Sequence, residues 1–397
     1  MTAVTAHVIA DDAEALAVAA ALAEEFRAGA GARDAGRRLP REEVARLSAS
    51  GLLAVTVPAE HGGADVSRQT LAEIFRLLAA ADASLAQIPQ SHFTYVQVIE
   101  RQGTDAQKKF FFSELLAGRR LGNAQSEAGT RHVQDIRTRL EPRPDGSYVL
   151  NGVKHYATGA LYADWIPVLA RAEDDRLHVA CVPRGAPGLT VVDDWDGMGQ
   201  RTTASGTVRL AGVPVPADRV FPHHLTFEGP QLHGAVAQLL HAAIDAGIAR
   251  GALSEAAEFV RTKSRPWFES GFATAAEDPL LVQRFGELEV RVRASEALLR
   301  EAARTVDEAR AHLTDDSAAG ASVAVAAAKA HAADTAVEVT SALFEVAGTR
   351  SALNPLNLHR HWRDARTHTL HDPVRWKIQH IGRYVLGGIR PPRHGLL

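Results

Sequence analysis

The first part of the chain, to about residue 120, carries apolar side chains at the spacing of amphipathic helices. Leucine, alanine and phenylalanine recur every three or four positions, with charged residues between them. Pro40 favours a helix start, whereas Gly51 and the segment PAEHGG at 58–63 favour breaks. The pattern therefore predicts four helices, at 14–26, 40–53, 67–81 and 86–102.

The pattern changes at about residue 121 to short runs in which valine, isoleucine, tyrosine and threonine alternate with polar residues. Glycine, proline, asparagine or aspartate bounds each run, which is typical of short antiparallel strands in a sandwich or barrel. We expect strands at 147–150, 165–170, 177–182 and 206–210. The Asn151-Gly152 pair predicts a tight turn after the first of these strands.

Long helical patterns return from about residue 232 and cover 235–262, 279–312 and 318–346, with a shorter one at 374–386. The alanine-rich part of the third pattern predicts close helix packing, within and between subunits. The order of elements predicts an α+β chain of three domains. These are an N-terminal helical domain at 1–120, a central β domain at 121–225 and a C-terminal helix bundle at 226–397.

The composition is that of a soluble globular protein: of 397 residues, 46% are hydrophobic and 23% charged, with a formal net charge of −3. Because there is no basic excess, we expect neither nucleic acid nor a membrane surface as a partner. Cys181 is the only cysteine, which excludes internal disulfides and suits a reducing compartment. No secretory signal opens the sequence and no apolar run reaches the ~18 residues that span a bilayer, so we expect a cytoplasmic protein.

Several common catalytic motifs are missing from the sequence. Gly197-Met198-Gly199 lacks the third glycine of a dinucleotide fingerprint, and no βαβ pattern surrounds it. There is no phosphate-binding P-loop, no Gly-x-Ser-x-Gly and no His-Glu-x-x-His. A Rossmann dehydrogenase, a serine hydrolase of that type and a zincin are therefore not expected.

The densest polar segment is HRHWRDARTHTLHDP at 359–373. It contains four histidines: His359, His361, His368 and His371. Histidine exchanges protons near neutral pH, so an acid–base site is one interpretation. A hydrogen-bonded cluster at a helix end is another, and a metal site would need Asp372 as a further ligand. His368 and His371 would share one face of a helix, although Pro373 favours a turn.

Three further places are candidates for ligand contacts. Polar residues at two strand edges, GNAQSE at 122–127 and KHYATGA at 154–160, would either donate hydrogen bonds to a flat heterocycle or build turns. The cations of RTKSRPW at 261–267 would either hold a phosphate or stabilise a helix C-terminus. His92 lies on a largely apolar helix, where a lone histidine usually has a structural role.

Taken in order, these segments resemble the acyl-CoA dehydrogenase superfamily over nearly the whole chain. The resemblance rests on motifs that follow the family order: GLL at 51–53 with the VP and HGG that follow, SEA at 126–128, NG at 151–152 with YAT at 156–158, and RDAR at 363–366. It implies an N-terminal helical domain, a central β-barrel and a C-terminal four-helix bundle.

One departure indicates a branch of that superfamily. Its dehydrogenases commonly carry a glutamate just after R-D-A-R, which removes the α-proton of an acyl thioester, whereas this chain has TLHDP at 369–373. The SRPW run at 264–267, the H-x-x-H-D-P run at 368–373 and RPPRH at 390–394 resemble the monooxygenase branch, which includes oxygenases of organosulfur compounds.

The branch implies a two-component enzyme and a homotetramer. Reduced flavin, FMN with FAD as the alternative, comes from a separate NAD(P)H:flavin reductase, and O2 adds to it to give a C4a-(hydro)peroxide. That species would oxygenate a small organosulfur compound or a similar soft nucleophile. The alternatives are a true acyl-CoA dehydrogenase, an N-oxygenase on the same fold, and a non-catalytic flavin-binding or assembly protein.

The resemblance also implies roles for individual side chains, without a metal. Three would lie along the flavin: Ser126, Tyr156 and Thr158. Four would be catalytic: His371 managing the proton, His368 supporting it, Asn123 donating to the peroxide or a ring carbonyl, and His92 facing the substrate. Three would bind the flavin phosphate, some of them from a neighbouring subunit: Lys263, Arg265 and Arg350.

Overall fold

The structure, a computed structural model, describes residues 6–397. Its N-terminal part contains the helices α1 (Asp12–Ala35), α2 (Arg41–Ala49), α3 (Arg68–Ala81), α4 (Ala83–Gln87), α5 (Gln90–Gln102) and α6 (Asp105–Leu116). All four predicted helices are present, although Pro89 separates α4 from α5. Helix α2 ends earlier than expected because Gly51 adopts a left-handed conformation, with φ 83°. Helix α6 lies outside the predicted set, and the capping box of Thr104 and Gln107 fixes its start.

The middle of the chain forms one sheet of seven strands. The strands are β1 (Arg139–Pro142), β2 (Tyr148–Lys154), β3 (Trp165–Arg171), β4 (Leu177–Pro183), β5 (Leu189–Val192), β6 (Thr207–Val215) and β7 (Val220–Phe221). Their order is β5-β6-β2-β1-β3-β4-β7; among these seven strands β1 and β3 pair in parallel and the other neighbours pair antiparallel. Because β5 and β7 each have one neighbour, hydrogen bonds do not close the expected barrel, and the strands form a sheet with two edges.

The turn predicted at Asn151-Gly152 is wrong. Both residues lie inside β2, where a bulge shifts its register against β6 between Leu150 and Gly152. A glycine suits this position because a Cβ would meet the Thr138 hydroxyl oxygen at 2.3 Å. The Asn151 side-chain oxygen accepts a hydrogen bond from the Gly212 N–H at 2.8 Å, so the asparagine supports the irregular ladder instead of a turn.

The C-terminal part is helical, as predicted. It contains α7 (His233–Lys263), α8 (Pro279–Ala311), α9 (Asp315–Ala347), α10 (His359–His368) and α11 (Val374–Gly387). The secondary structure changes from helices to strands near residue 120 and back to helices near residue 225. The domain limits themselves stay a prediction. Within the described residues, no helix has the length and apolar character that crossing a bilayer requires.

Helix α7 is the centre of the molecule. It packs against α9, α3 and α8, and one apolar cluster runs through α1, α3, α7, α8 and α9. Gly247 and Gly251 let α3 approach closely, because a Cβ at either position would meet a backbone oxygen of α3 at 2.5 Å. Helices α1 to α4 therefore share one core with the bundle, whereas α6 and most of α5 pack against sheet residues in a second cluster and the sheet has a third.

Candidate active site

Helix α5 brings two side chains to the segment that follows α6. The His92 Nε2 atom lies 2.7 Å from the Leu53 carbonyl oxygen, and His92 Nδ1 accepts the Leu121 N–H at 3.0 Å. Three residues later, the Tyr95 hydroxyl donates to the Asn123 side-chain oxygen at 3.4 Å. Burial lowers the pKa of His92 to about 4. With both ring nitrogens bonded to backbone, His92 holds the Leu121–Asn123 segment in place.

The two polar strand edges lie next to each other. The Asn123 amide donates to the Tyr156 carbonyl oxygen at 3.4 Å, and the His155 N–H donates to the Ser126 carbonyl oxygen at 2.9 Å. Tyr156 has φ 54°, an uncommon conformation for a bulky residue, and 60% of the residue is exposed. The structure thus brings together Asn123, Ser126, Tyr156 and Thr158 at one rim of the sheet.

A chain of hydrogen bonds joins this rim to α10. The Thr158 hydroxyl lies 2.7 Å from the Ser205 hydroxyl, which lies 2.8 Å from the Thr203 hydroxyl. Thr203 donates to the Gln200 carbonyl oxygen at 3.0 Å, and the Gln200 N–H donates to Asp364 Oδ1 at 2.5 Å. Asp364 belongs to the RDAR segment and lies one turn before His368 on α10. The polar rim and the histidine-rich segment therefore adjoin.

Asp364 is a buried carboxyl group in a negative environment. Burial and the nearby Asp34 carboxylate raise its pKa to about 7. A cavity of about 20 Å³, large enough for one water molecule, lies beside it and also contacts Asp34, Asp82 and Arg360. The carboxyl group therefore keeps its proton to a higher pH than an exposed aspartate does.

The histidine-rich segment meets two residues of α7. His368 Nδ1 lies 2.5 Å from Asp245 Oδ1, and His368 Nε2 lies 3.0 Å from His241 Nδ1. The ring of His371 packs on the ring of His241, with centroids 4.0 Å apart and planes tilted by 35°. The other Asp245 oxygen accepts the Lys329 ammonium at 2.6 Å. His371 is the exposed end of this series, since 42% of its side chain is accessible.

The carboxylate next to His371 is already paired. Asp372 lies 2.5 Å from the Lys377 ammonium, and both side chains are almost fully buried. Hydrogen bonding to His371 and the charges of Lys377 and Lys329 outweigh burial and hold the pKa of Asp372 well below its usual range. Asp372 therefore remains an ion-paired carboxylate.

The three predicted phosphate ligands lie elsewhere in the chain. Arg350 donates to the Lys263 carbonyl oxygen at 2.9 Å, so these two cations adjoin, and Lys263, Arg265 and Arg350 are all exposed. Lys263 lies 22 residues beyond His241 on α7, roughly 33 Å at the helical rise of 1.5 Å per residue. Within one chain these cations do not reach the histidine cluster.

Sequence reasoning missed His241, Asp245 and Lys329. The sequence did contain a signal for these residues. Each is a polar side chain within a long helix whose apolar residues occur on all sides, which predicts that the whole helix is buried. Charged side chains are almost never fully buried unless paired, so each predicts a buried partner. Within residues 6–397, no group of three His, Cys, Asp or Glu side chains has the arrangement of a metal site.

Comparison with known proteins identifies the family of this chain. The N-terminal, middle and C-terminal domains of acyl-CoA dehydrogenase match residues 12–119, 123–213 and 239–376. A dibenzothiophene monooxygenase of Rhodococcus erythropolis is 37% identical over 96% of this chain and 95% of its own. A probable FMNH2-dependent monooxygenase, SfnC of Pseudomonas putida, is 33% identical over 95% and 96%. The crystal structure of FMN-bound TdsC from Paenibacillus sp. A11-2 superposes with a TM-score of 0.91 at 35% identity, covering 96% of this chain and 100% of the other.

The chain belongs to the acyl-CoA dehydrogenase superfamily and, within it, to the monooxygenase branch. This membership confirms the predicted order of a helical, a strand-rich and a second helical domain. It also confirms the prediction of an enzyme, a flavin-dependent monooxygenase.

The raised pKa of Asp364 makes stability depend on pH. Because the folded state keeps a proton that the unfolded chain releases near pH 4, Asp364 lowers the free energy of unfolding as pH rises to about 7. Asp364→Asn removes this contribution and keeps the oxygen that accepts the Gln200 N–H. We expect the wild type to lose roughly 1–3 kcal/mol more than the variant between pH 5 and pH 8, in urea unfolding.

The exposed Asp174 provides the control, since Asp174→Asn should change stability equally at both pH values. Equal pH dependence of the wild type and Asp364→Asn would contradict the buried, protonated carboxyl group.

Proposed function

We propose that this protein is the oxygenase of a two-component system, which takes reduced FMN from a separate NAD(P)H:flavin reductase and oxygenates a small organosulfur compound. Identity of 33–37% over nearly the full length to a dibenzothiophene monooxygenase and a probable FMNH2-dependent monooxygenase supports the class of reaction. We expect both components in the cytoplasm.

The polar rim of the sheet fits a flavin ring. The Asn123 side chain makes only long hydrogen bonds of 3.4 Å, and the Ser126 hydroxyl has no partner among residues 6–397. Both groups are free to donate to ring carbonyl oxygens or to accept from ring N–H groups. Tyr156 offers an exposed aromatic face beside them. In this arrangement Thr158, held by Ser205, would lie along the ring.

One observation distinguishes oxygenation from acyl-CoA dehydrogenation. The loop after RDAR contains a single carboxylate, Asp372, and it forms an ion pair with Lys377 at 2.5 Å. A general base must reach the proton that it removes, and a buried, ion-paired carboxylate does not. The accessible titratable group of the loop is the imidazole of His371, whose Nε2 has no hydrogen-bond partner among the described residues.

Each residue then has a defined task. When bound, reduced FMN would supply the electrons and the C4a atom at which O2 adds as a (hydro)peroxide. Asn123 would orient the flavin edge, and His371 would deliver and recover the proton that a departing hydroxide requires. His368 would support His371 indirectly, through its hydrogen bond to His241, on which the ring of His371 packs. His92 and Tyr95 would keep the Leu121–Asn123 segment in place, so we assign His92 a positioning role.

The proposal is tested by mixing the purified protein with chemically reduced FMN, O2 and a panel of sulfides, sulfones and amines. We expect oxygenated organosulfur products, and with NADH as the reductant we expect turnover only after a flavin reductase is added. NADH oxidation by the protein alone would contradict the two-component proposal. Amine oxidation would indicate an N-oxygenase, and acyl-CoA desaturation with an artificial electron acceptor would indicate a dehydrogenase.

His371→Ala should abolish most oxygenation without affecting flavin binding, because the ring is placed to move a proton and not to hold the phosphate. We expect product formation to fall by roughly 10²–10⁴-fold, the usual range for losing a general acid or base, and hydrogen peroxide to take its place. The measurement is product and peroxide per reduced FMN consumed.

A matched control is His312→Ala, which removes an exposed histidine at the end of α8 and should change neither yield. Wild-type product yield from His371→Ala would refute the assigned role, and His368→Ala should show a smaller loss.

We further propose a homotetramer in which the phosphate ligands come from a neighbouring subunit. The separation of roughly 33 Å along α7 supports a second chain for this site, and α11 exposes apolar side chains that an interface would cover: Trp376, Ile378, Val385 and Leu386. Light scattering should give four times the mass of the chain. Arg350→Gln should weaken FMN binding by about tenfold or more in fluorescence titration, since a charge-assisted hydrogen bond to phosphate is lost.

Arg300→Gln, an exposed change on α8, should leave FMN affinity unchanged. A monomer at micromolar concentration, or wild-type FMN affinity in Arg350→Gln, would contradict this arrangement.

A further inference from the structure

Two oppositely charged side chains are completely buried where α7 and α9 cross. Lys329 and Asp245 are both 0% exposed, and their ammonium and carboxylate groups are 2.6 Å apart. Removing two charges from water is costly, and a pair of apolar side chains would often give equal or greater stability. Asp245 has a second partner, His368, at 2.5 Å, which connects the ion pair to the exposed end of the cluster.

The order of donors and acceptors fixes where the protons lie. Lys329 and His368 favour the charged form of Asp245 and hold its pKa below the usual value despite burial. A carboxylate only accepts, so His368 Nδ1 must carry a hydrogen. Burial lowers the pKa of His368 and favours its neutral form, in which Nε2 accepts the hydrogen of His241 Nδ1. His241 then has a bare Nε2.

The charged groups around His241 keep its ring neutral. It faces His371 and His368 from the α10 side, and the cations Lys329 of α9 and Lys377 of α11 lie nearby. Burial and these four neighbours together hold the pKa of His241 well below the usual value. The ring of His371, whose Nδ1 lies 3.3 Å from Asp372 Oδ1, rests directly on this neutral ring.

We propose that Asp245 and Lys329 are positioning residues, which act through His368 to hold His241 as a neutral, Nδ1-protonated ring beneath His371. His371 is then the one imidazole of the cluster that exchanges a proton. A cationic His241 at a centroid distance of 4.0 Å would repel a proton from His371, and a His241 free to titrate would compete for it. The role of that proton in oxygenation rests on the proposed function, but the proton positions do not.

Neutron diffraction from flavin-free crystals near neutral pH tests the proton positions directly. We expect hydrogen or deuterium on Nδ1 of both His368 and His241, and none on His241 Nε2. Density on His241 Nε2, or on both nitrogens of His368, overturns the proposal whether or not the protein proves to be an oxygenase.

The double variant Asp245→Asn/Lys329→Met tests the consequence for His371. It removes both charges with little change in shape, so neither charge is left buried alone. In flavin-free protein, acylation of His371 by diethyl pyrocarbonate, followed by peptide mass spectrometry, reports its neutral fraction against pH. We expect one titration step in the wild type and two coupled steps in the variant, because His241 now shares the proton.

With reduced FMN and the organosulfur substrate, the double variant should give about tenfold less product per flavin consumed, at unchanged FMN affinity and assembly mass. The control is Glu289→Gln, which breaks an ion pair between α8 and Arg250 of α7, away from the histidines, and should keep the single step. A single wild-type titration step for His371 in the double variant overturns the proposal. If that variant does not assemble, the wild-type neutron result decides alone.

Discussion

The rest of the active-site architecture depends on the complete burial of α7. From His233 to Ala249 every residue of this helix is buried, so a charged side chain there is costly unless it has a partner inside the protein. Asp245 meets that requirement with Lys329 and His368, and His241 meets it with His368. These contacts fix the end of α10. The loop that follows places the ring of His371 on the buried, hydrogen-bonded ring of His241.

The loop after RDAR is where this chain departs from the pattern of the dehydrogenases in its superfamily. In this chain the loop after RDAR has a histidine, and its single carboxylate is neutralised by Lys377. A carboxylate base suits removal of a carbon-bound proton, whereas an imidazole suits proton delivery near neutral pH. The rim with Asn123, Ser126 and Thr158 lies on the sheet, and the hydrogen bonds that run from Thr158 reach α10 at Asp364.

Local sequence signals were sufficient wherever an element depends on its own periodicity. The long helices and four of the strands lie where the pattern predicts them, and the ordered motifs predict the superfamily and the loss of its glutamate. Local signals failed where distant residues override propensity. Asn151-Gly152 has the composition of a turn, yet pairing with β6 keeps it in a strand as a bulge. Helix α6 was missed because its apolar periodicity is not distinctive, although the sequence contains the capping box that starts it.

The sequence by itself determined the class of fold and the branch, because these follow from spacing and from motifs within short segments, and it predicts a role for His371. Only the tertiary structure decided which groups surround His371. Lys329 lies 84 residues from Asp245, which lies 123 from His368, so no local pattern pairs them. Their pairing follows from the packing of α7 against α9 and α10, since a buried charge is tolerated only where a partner from another helix meets it.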